Sequence, residues 1–179
     1  SETGKDNALK PQNVEISKKG IEFDIAPIAY KLRAPYNKIN ATLDLANNYV
    51  LAYHDGSDNQ YISGIENGYF KSTNDDSQVV DFYVKVNNGE QKLYMVQDED
   101  LLAVNLVEEN ETVKLAIADE SNTTWQFNET TKRLYTVYKE TNYTFGVVNG
   151  QAGLFKESEI EENKVIELFI GSTILISDI

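Results

Sequence analysis

The chain has no cysteine, one histidine, one tryptophan, one methionine and three prolines in 179 residues. Without cysteine there is no disulfide framework and no thiolate metal site. That leaves the compartment open, because a domain of this size has core enough to stand without staples. A Ser-His-Asp triad would have to use His54, which stands beside the Asp55-Gly56 turn with no apolar pocket in view, the setting of a surface histidine. No run of 18 apolar residues occurs; the most apolar stretch, Val165 to Ile176, is broken by Glu167, Gly171 and Ser172, which argues against a membrane-spanning helix. Basic residues are scarce, 16 Lys and Arg against 29 Asp and Glu, for a net charge of −13. Such a surface repels phosphate backbones and anionic membranes, so nucleic acid is a poor partner and solubility is the ordinary reading of the acidity. Ser1 to Leu9 is polar and carries no leader pattern, so the chain is mature, cytosolic or an excised segment. It stops on Ile174-Leu175-Ile176, as a piece cut from something longer would.

What is present is β pattern. Apolar residues make up 41% and aromatics 11%, with eleven tyrosines, and no amphipathic helix of useful length is found. Leu134–Tyr138 and Tyr143–Val148 alternate, and Asn149-Gly150 is a strong two-residue hairpin signal before Ala152–Lys156. This unit recurs upstream. Phe70, Val113 and Phe155, each followed by Lys, are 43 and 42 residues apart. Phe82, Trp125 and Leu168 are 43 and 43 apart; Tyr61, Leu102 and Phe145 are 41 and 43 apart; Tyr94 and Tyr135 are 41 apart. Four strands in about 40 residues, written three times, predict an all-β fold of the β-trefoil type, a six-stranded barrel capped by three hairpins. The units run 60–97, 101–138 and 143–177, in a domain of residues 49–179. A propeller would need residues 1–59 to supply a fourth blade. Residues 1–48 read as a strand-rich extension, flexible over Ser1–Lys10, with a hairpin over Asn13–Ile25 and a strand over Ile39–Leu45; Pro27 and Pro35 mark edges or loops. Tyr49–Tyr53 aligns with the strands of Tyr94 and Tyr135. Eight marker side chains, Phe70, Phe82, Leu102, Val113, Trp125, Phe145, Phe155 and Leu168, are expected in the core.

No stretch spells a reaction, so the chain reads as a non-enzyme with no cofactor and no metal. Asp55 to Glu66 spaces its oxygens like a calcium loop, but Gln60 stands where glycine is needed and strands flank it, so it reads as a polar turn. The carboxylate pairs Asp75/Asp76, Asp98/Glu99/Asp100 and Glu161/Glu162 could suggest a glycosidase, yet they fall in polar loops and read as solvated turns. Trp125-Gln126-Phe127 lacks the Gln-X-Trp order of ricin-type lectin trefoils. Asn-X-Ser/Thr sequons stand at Asn40, Asn110, Asn122, Asn128 and Asn142, five where chance gives roughly two, which points to a secreted glycoprotein; an Asn-rich genome gives the same excess. Tyr53, Asp55, Asn59 and Tyr61 are the candidate ligand-binding residues, tyrosines near turns being suited to stacking on sugars.

The text HDGSDNQYIS from His54 to Ser63, then GYFKS, an acidic loop and VVDFYVKV, resembles the repeats of yeast cell-wall mannoproteins, over residues 49–177. The resemblance implies a secreted or wall-bound, glycosylated, adhesin-like surface protein without catalytic residues, its partners wall glycans or surface polysaccharide. The chain departs from that family in having no Ser/Thr-rich stalk, no anchor signal and no cysteine-rich tail. A lectin-like domain, a trefoil-type protease inhibitor and a bacterial surface-layer domain are the alternatives.

Overall fold

The computed structural model describes residues 31–175, with side chains from 36 to 170. The hairpin expected over Asn13–Ile25 lies outside the described residues. The described chain is all-β, with thirteen strands, three short 3-10 turns and no α-helix. The strands are β1 (Lys31–Lys38), β2 (Asn48–Asp55), β3 (Asp58–Glu66), β4 (Tyr69–Thr73), β5 (Phe82–Asn87), β6 (Glu90–Gln97) and β7 (Asp100–Glu109). They continue with β8 (Thr112–Ala118), β9 (Gln126–Asn128), β10 (Arg133–Tyr138), β11 (Thr141–Val148), β12 (Gln151–Lys156) and β13 (Glu167–Leu175). Pro35–Gly171 makes up one unit of the chain, and the packing described below is that of this unit.

All pairs with a stated register are antiparallel, and the ladders are open sheets. One sheet of four strands runs β12-β11-β10-β9. The other runs β1-β13-β2-β5-β6-β7-β8, with β3 also on β2 and β4 on β3. Pairing therefore groups the strands into β13-β2-β3-β4 and β5-β6-β7-β8, joined where β2 meets β5 at Asn48–Tyr83 and Tyr49–Phe82, and the separate sheet β9-β10-β11-β12. The strand aligned with those of Tyr94 and Tyr135 is β2, and one of its partners is β13, with Leu51 opposite Leu168. At the end of the described chain, Glu167–Leu175 is one continuous strand.

Tight turns set the register. Six hairpins turn on two residues with both φ values positive. They are Asn67-Gly68, Asn88-Gly89, Asp98-Glu99, Asn110-Glu111, Lys139-Glu140 and Asn149-Gly150, each framed by a paired residue on either side. This is the turn whose twist matches that of the flanking strands. Ile39–Leu45 is not the strand its alternation suggests. Asp44 makes an Asx turn there, its carboxylate accepting from Ala46 N at 2.9 Å. The Tyr49 hydroxyl accepts from Asp44 N at 2.8 Å and donates to Asp44 O at 3.1 Å, so local polar bonds replace a ladder.

The core is a chain of rings. Trp125 lies 5.0 Å from Phe145, Phe145 lies 5.2 Å from Phe70, and Phe70 meets Phe82 edge-on at 6.3 Å. Ile62, Leu93, Met95 and Leu134 fill the space around them. Burying each such side chain is worth about 1.5–3 kcal/mol. Five of the eight marker residues are buried: Phe70, Phe82, Trp125, Phe145 and Leu168. Leu102, Val113 and Phe155 are only partly so, because each stands near a strand end, where the ladder runs past the core.

Candidate binding grooves

The connection from β8 to β9 is tied down from both sides. It is held from β7, whose Asn105 is a polar residue in the otherwise apolar run Leu101–Val107. Asn105 is 2% exposed; its amide donates to Glu120 O and accepts from Asn122 N, both at 3.0 Å. Leu106 N donates to the Thr123 hydroxyl at 2.9 Å, and Thr123 in turn donates to the Asn122 carboxamide oxygen at 2.8 Å. The Trp125 indole N–H donates to Val104 O at 3.0 Å. From the other side, Thr136 on β10 donates to Thr124 O at 2.8 Å.

Between this loop, β7 and β10 lies an open groove of about 450 Å³ lined by Leu106, Asn122, Thr123, Thr124, Gln126, Thr136, Val137 and Tyr138. None of these carries a charge. At its end the Tyr138 hydroxyl donates to Glu108 at 2.6 Å, and Lys139 reaches the same carboxylate oxygen at 3.0 Å. The Tyr138 bond, then the ammonium, hold the Glu108 carboxyl below its ordinary value. The same carboxylate raises the Tyr138 phenol and the Lys139 ammonium. Glu108 thus favours the folded state above the unfolded carboxylate pKa, a contribution lost as pH falls through its lowered value. Tyr138 and Lys139 contribute below their unfolded pKa values and lose that as pH rises through the raised ones. Because the Tyr138 bond is the largest cause, Tyr138→Phe is expected to move the Glu108 titration upward toward 4.5. Carbon-detected NMR of the Glu108 side chain reads this directly; an unmoved midpoint in the variant would mean that the bond does not form in solution.

A second groove of about 300 Å³ lies between the β2–β3 and β11–β12 hairpins, lined by Tyr53, His54, Asp55, Asn149, Glu161 and Lys164 together with the apolar Val147 and Val148. Of the four residues expected to bind a ligand, Tyr53 and Asp55 line it. Tyr61 does not. Tyr53 pairs with Gln60 and Tyr61 with Ala52, so the two tyrosines project from opposite faces of the ladder. The Tyr53 hydroxyl donates to Ser72 at 3.0 Å, while the Tyr61 ring packs 4.7 Å from Tyr36. Asn59 is exposed opposite His54. The four are not brought together.

Asp55 to Glu66 forms the end of β2, a Gly56-Ser57 turn and β3, which spreads its oxygens along an extended strand. Among the described residues no group of three or more His, Asp or Glu side chains could hold a metal ion. No helix among them is long and apolar enough to cross a membrane. Of the sequon asparagines, Asn40 is exposed just after β1, Asn110 in its turn, and Asn122 in the tied loop. Asn142 is exposed on β11 rather than in a loop, opposite Val137. Asn128 is half-buried at the end of β9, and its carboxamide oxygen accepts from Thr130 N and Thr131 N at 2.9 and 3.0 Å. Sequence reasoning passed over the uncharged groove; its one signal was Asn105, a polar side chain inside an apolar strand. No protein-family model matches the chain, and no curated protein or solved structure is significantly similar to it.

Proposed function

We propose that the chain is a domain of an extracellular, cell-wall or cell-surface glycoprotein with a structural or adhesive role and no catalytic activity. The observation that carries this reading is that Asn40, Asn110, Asn122 and Asn142 are all exposed, so four of the five sequons are open to the attachment enzyme and to a bulky glycan. The acidic surface and the choice of partners agree with it: surface polysaccharide rather than nucleic acid or membrane. The three-repeat, trefoil-like arrangement belongs to the same reading. Its support is that β4, β8 and β12, which hold Phe70, Val113 and Phe155, come next to one another, and that all three groups of four strands turn on two-residue hairpins. The test is the intact mass of protein secreted by its native host, before and after enzymatic glycan release. Several sugar-bearing sites among Asn40, Asn110, Asn122 and Asn142 are expected, and a mass equal to the bare polypeptide overturns the reading. A lectin-like domain is the second reading, favoured by the uncharged groove at Asn122, Gln126 and Tyr138.

A further inference from the structure

We infer that the groove between β7, the β8–β9 loop and β10 binds a neutral oligosaccharide, with the carboxamides of Asn122 and Gln126 as its hydrogen-bond donors. This deepens the adhesive reading by giving it a site and a ligand class. The two amides are set alike. The Asn122 oxygen is held by Thr123 at 2.8 Å and the Gln126 oxygen by the Tyr135 hydroxyl at 3.0 Å, so each is oriented and the NH₂ of each, with no partner among the described residues, is left to donate. The hydroxyls beside them are already spent: Thr136 on Thr124 O, Thr123 on Asn122, and Thr124 on Glu90 and Lys92. The groove therefore asks for a ligand rich in acceptor oxygens.

Charge narrows the class. The lining carries no charge of its own, and the charges beside it are paired with each other, Glu108 with Lys139 at 3.0 Å and Glu90 with Lys92 at 2.9 Å, in a chain of net charge −13. Val137 at 49% exposure, on the same face of the ladder as Gln126, adds apolar surface of the sort that the C–H faces of a pyranose cover. The loop is fixed in advance by Asn105 and Trp125, so little ordering is left for binding to do. The inference requires Asn122 to carry a free carboxamide in native material, the glycans standing at other sequons, and a sugar found on Asn122 there overturns it; the binding test uses protein made in bacteria, which carries no N-glycan.

Amide-labelled protein is titrated with maltotetraose, laminaritetraose, cellotetraose and mannotetraose, with a sialylated tetrasaccharide as the charged control. The expected result is that at least one neutral probe shifts the side-chain NH₂ signals of Asn122 and Gln126 and the Tyr138 ring signals, while the charged control does not. Gln126→Glu, which replaces a donor by a carboxylate of the same shape, is expected to weaken binding about tenfold or more, with the melting temperature unchanged. Val137→Asp provides a second variant, expected to act in the same direction. No shift with any neutral probe, or shifts confined to the Tyr53–Lys164 groove, overturns the proposal. The glycoprotein reading is untouched by either outcome, since it rests on the mass of native material.

Discussion

Trp125→Ala is expected to lower the unfolding free energy by about 3–5 kcal/mol. Trp125 is fully buried, its ring packs 5.0 Å from Phe145, and its N–H holds Val104 O. Truncation removes the largest side chain of the core and leaves a buried carbonyl without its donor, two costs that add. It also strikes at the loop, because Trp125 N donates to Gln91 O at 2.8 Å and Trp125 O accepts from the Gln91 amide at 3.1 Å. A domain of ordinary stability has about 5–15 kcal/mol in all, so a third or more is at stake. Urea unfolding followed by circular dichroism measures it, since the variant loses the only tryptophan. Trp125→Phe keeps most of the ring and loses the N–H, and is expected to fall about 1–2 kcal/mol short of the parent. A loss below about 1 kcal/mol for the alanine variant would show that the ring chain is not where the core is densest.

The triple variant Glu99→Gly, Glu111→Gly, Glu140→Gly is expected to gain about 2–3 kcal/mol. In each of these hairpins a glutamate takes the second left-handed position, with φ of 71°, 66° and 64°. A residue with a Cβ pays roughly 1–2 kcal/mol there, part of which glycine returns as extra freedom in the unfolded chain. The three other hairpins already place glycine at that position. The turns are separate, so the single gains are expected to add. Removing three negative charges from an acidic chain also helps, and Glu→Gln at the same positions isolates that part by keeping the backbone cost. Denaturant unfolding of the set decides it: a triple variant no more stable than its glutamine counterpart would mean that the turns carry no strain.

These turns also mark how far the text could be read. Asn-Gly at 67, 88 and 149 announces a hairpin because both residues tolerate positive φ. Asp98-Glu99, Asn110-Glu111 and Lys139-Glu140 carry no such mark at their second residue, yet adopt the same turn because the alternating strands around them demand it. Spacing gave the buried positions of Phe82, Trp125 and Leu168. It could not say which ladder each strand would join, because pairing depends on neighbours distant in sequence, as with Leu51 and Leu168. Ile39–Leu45 misled for a local reason, a carboxylate at Asp44 able to cap its own backbone. The groove was the least legible part. Its amides matter through what holds their oxygens, and those partners, Thr123 and Tyr135, are fixed only once loop and strands have met.

The pairing of β13 with β2 has a consequence in time. The strands of β5–β8 and of β9–β12 close on neighbours two to five residues away, so their ladders can form within microseconds of being free to fold. β2 finds β3 across a two-residue turn, but its other edge waits for β13, the last of the described strands, and this pairing spans the longest stretch of chain and pays the largest closure entropy. Until β13 arrives, the apolar edge Val50-Leu51-Ala52 stands open to any other strand. Newly made chains are thus most prone to stick to one another in the interval before that last strand docks.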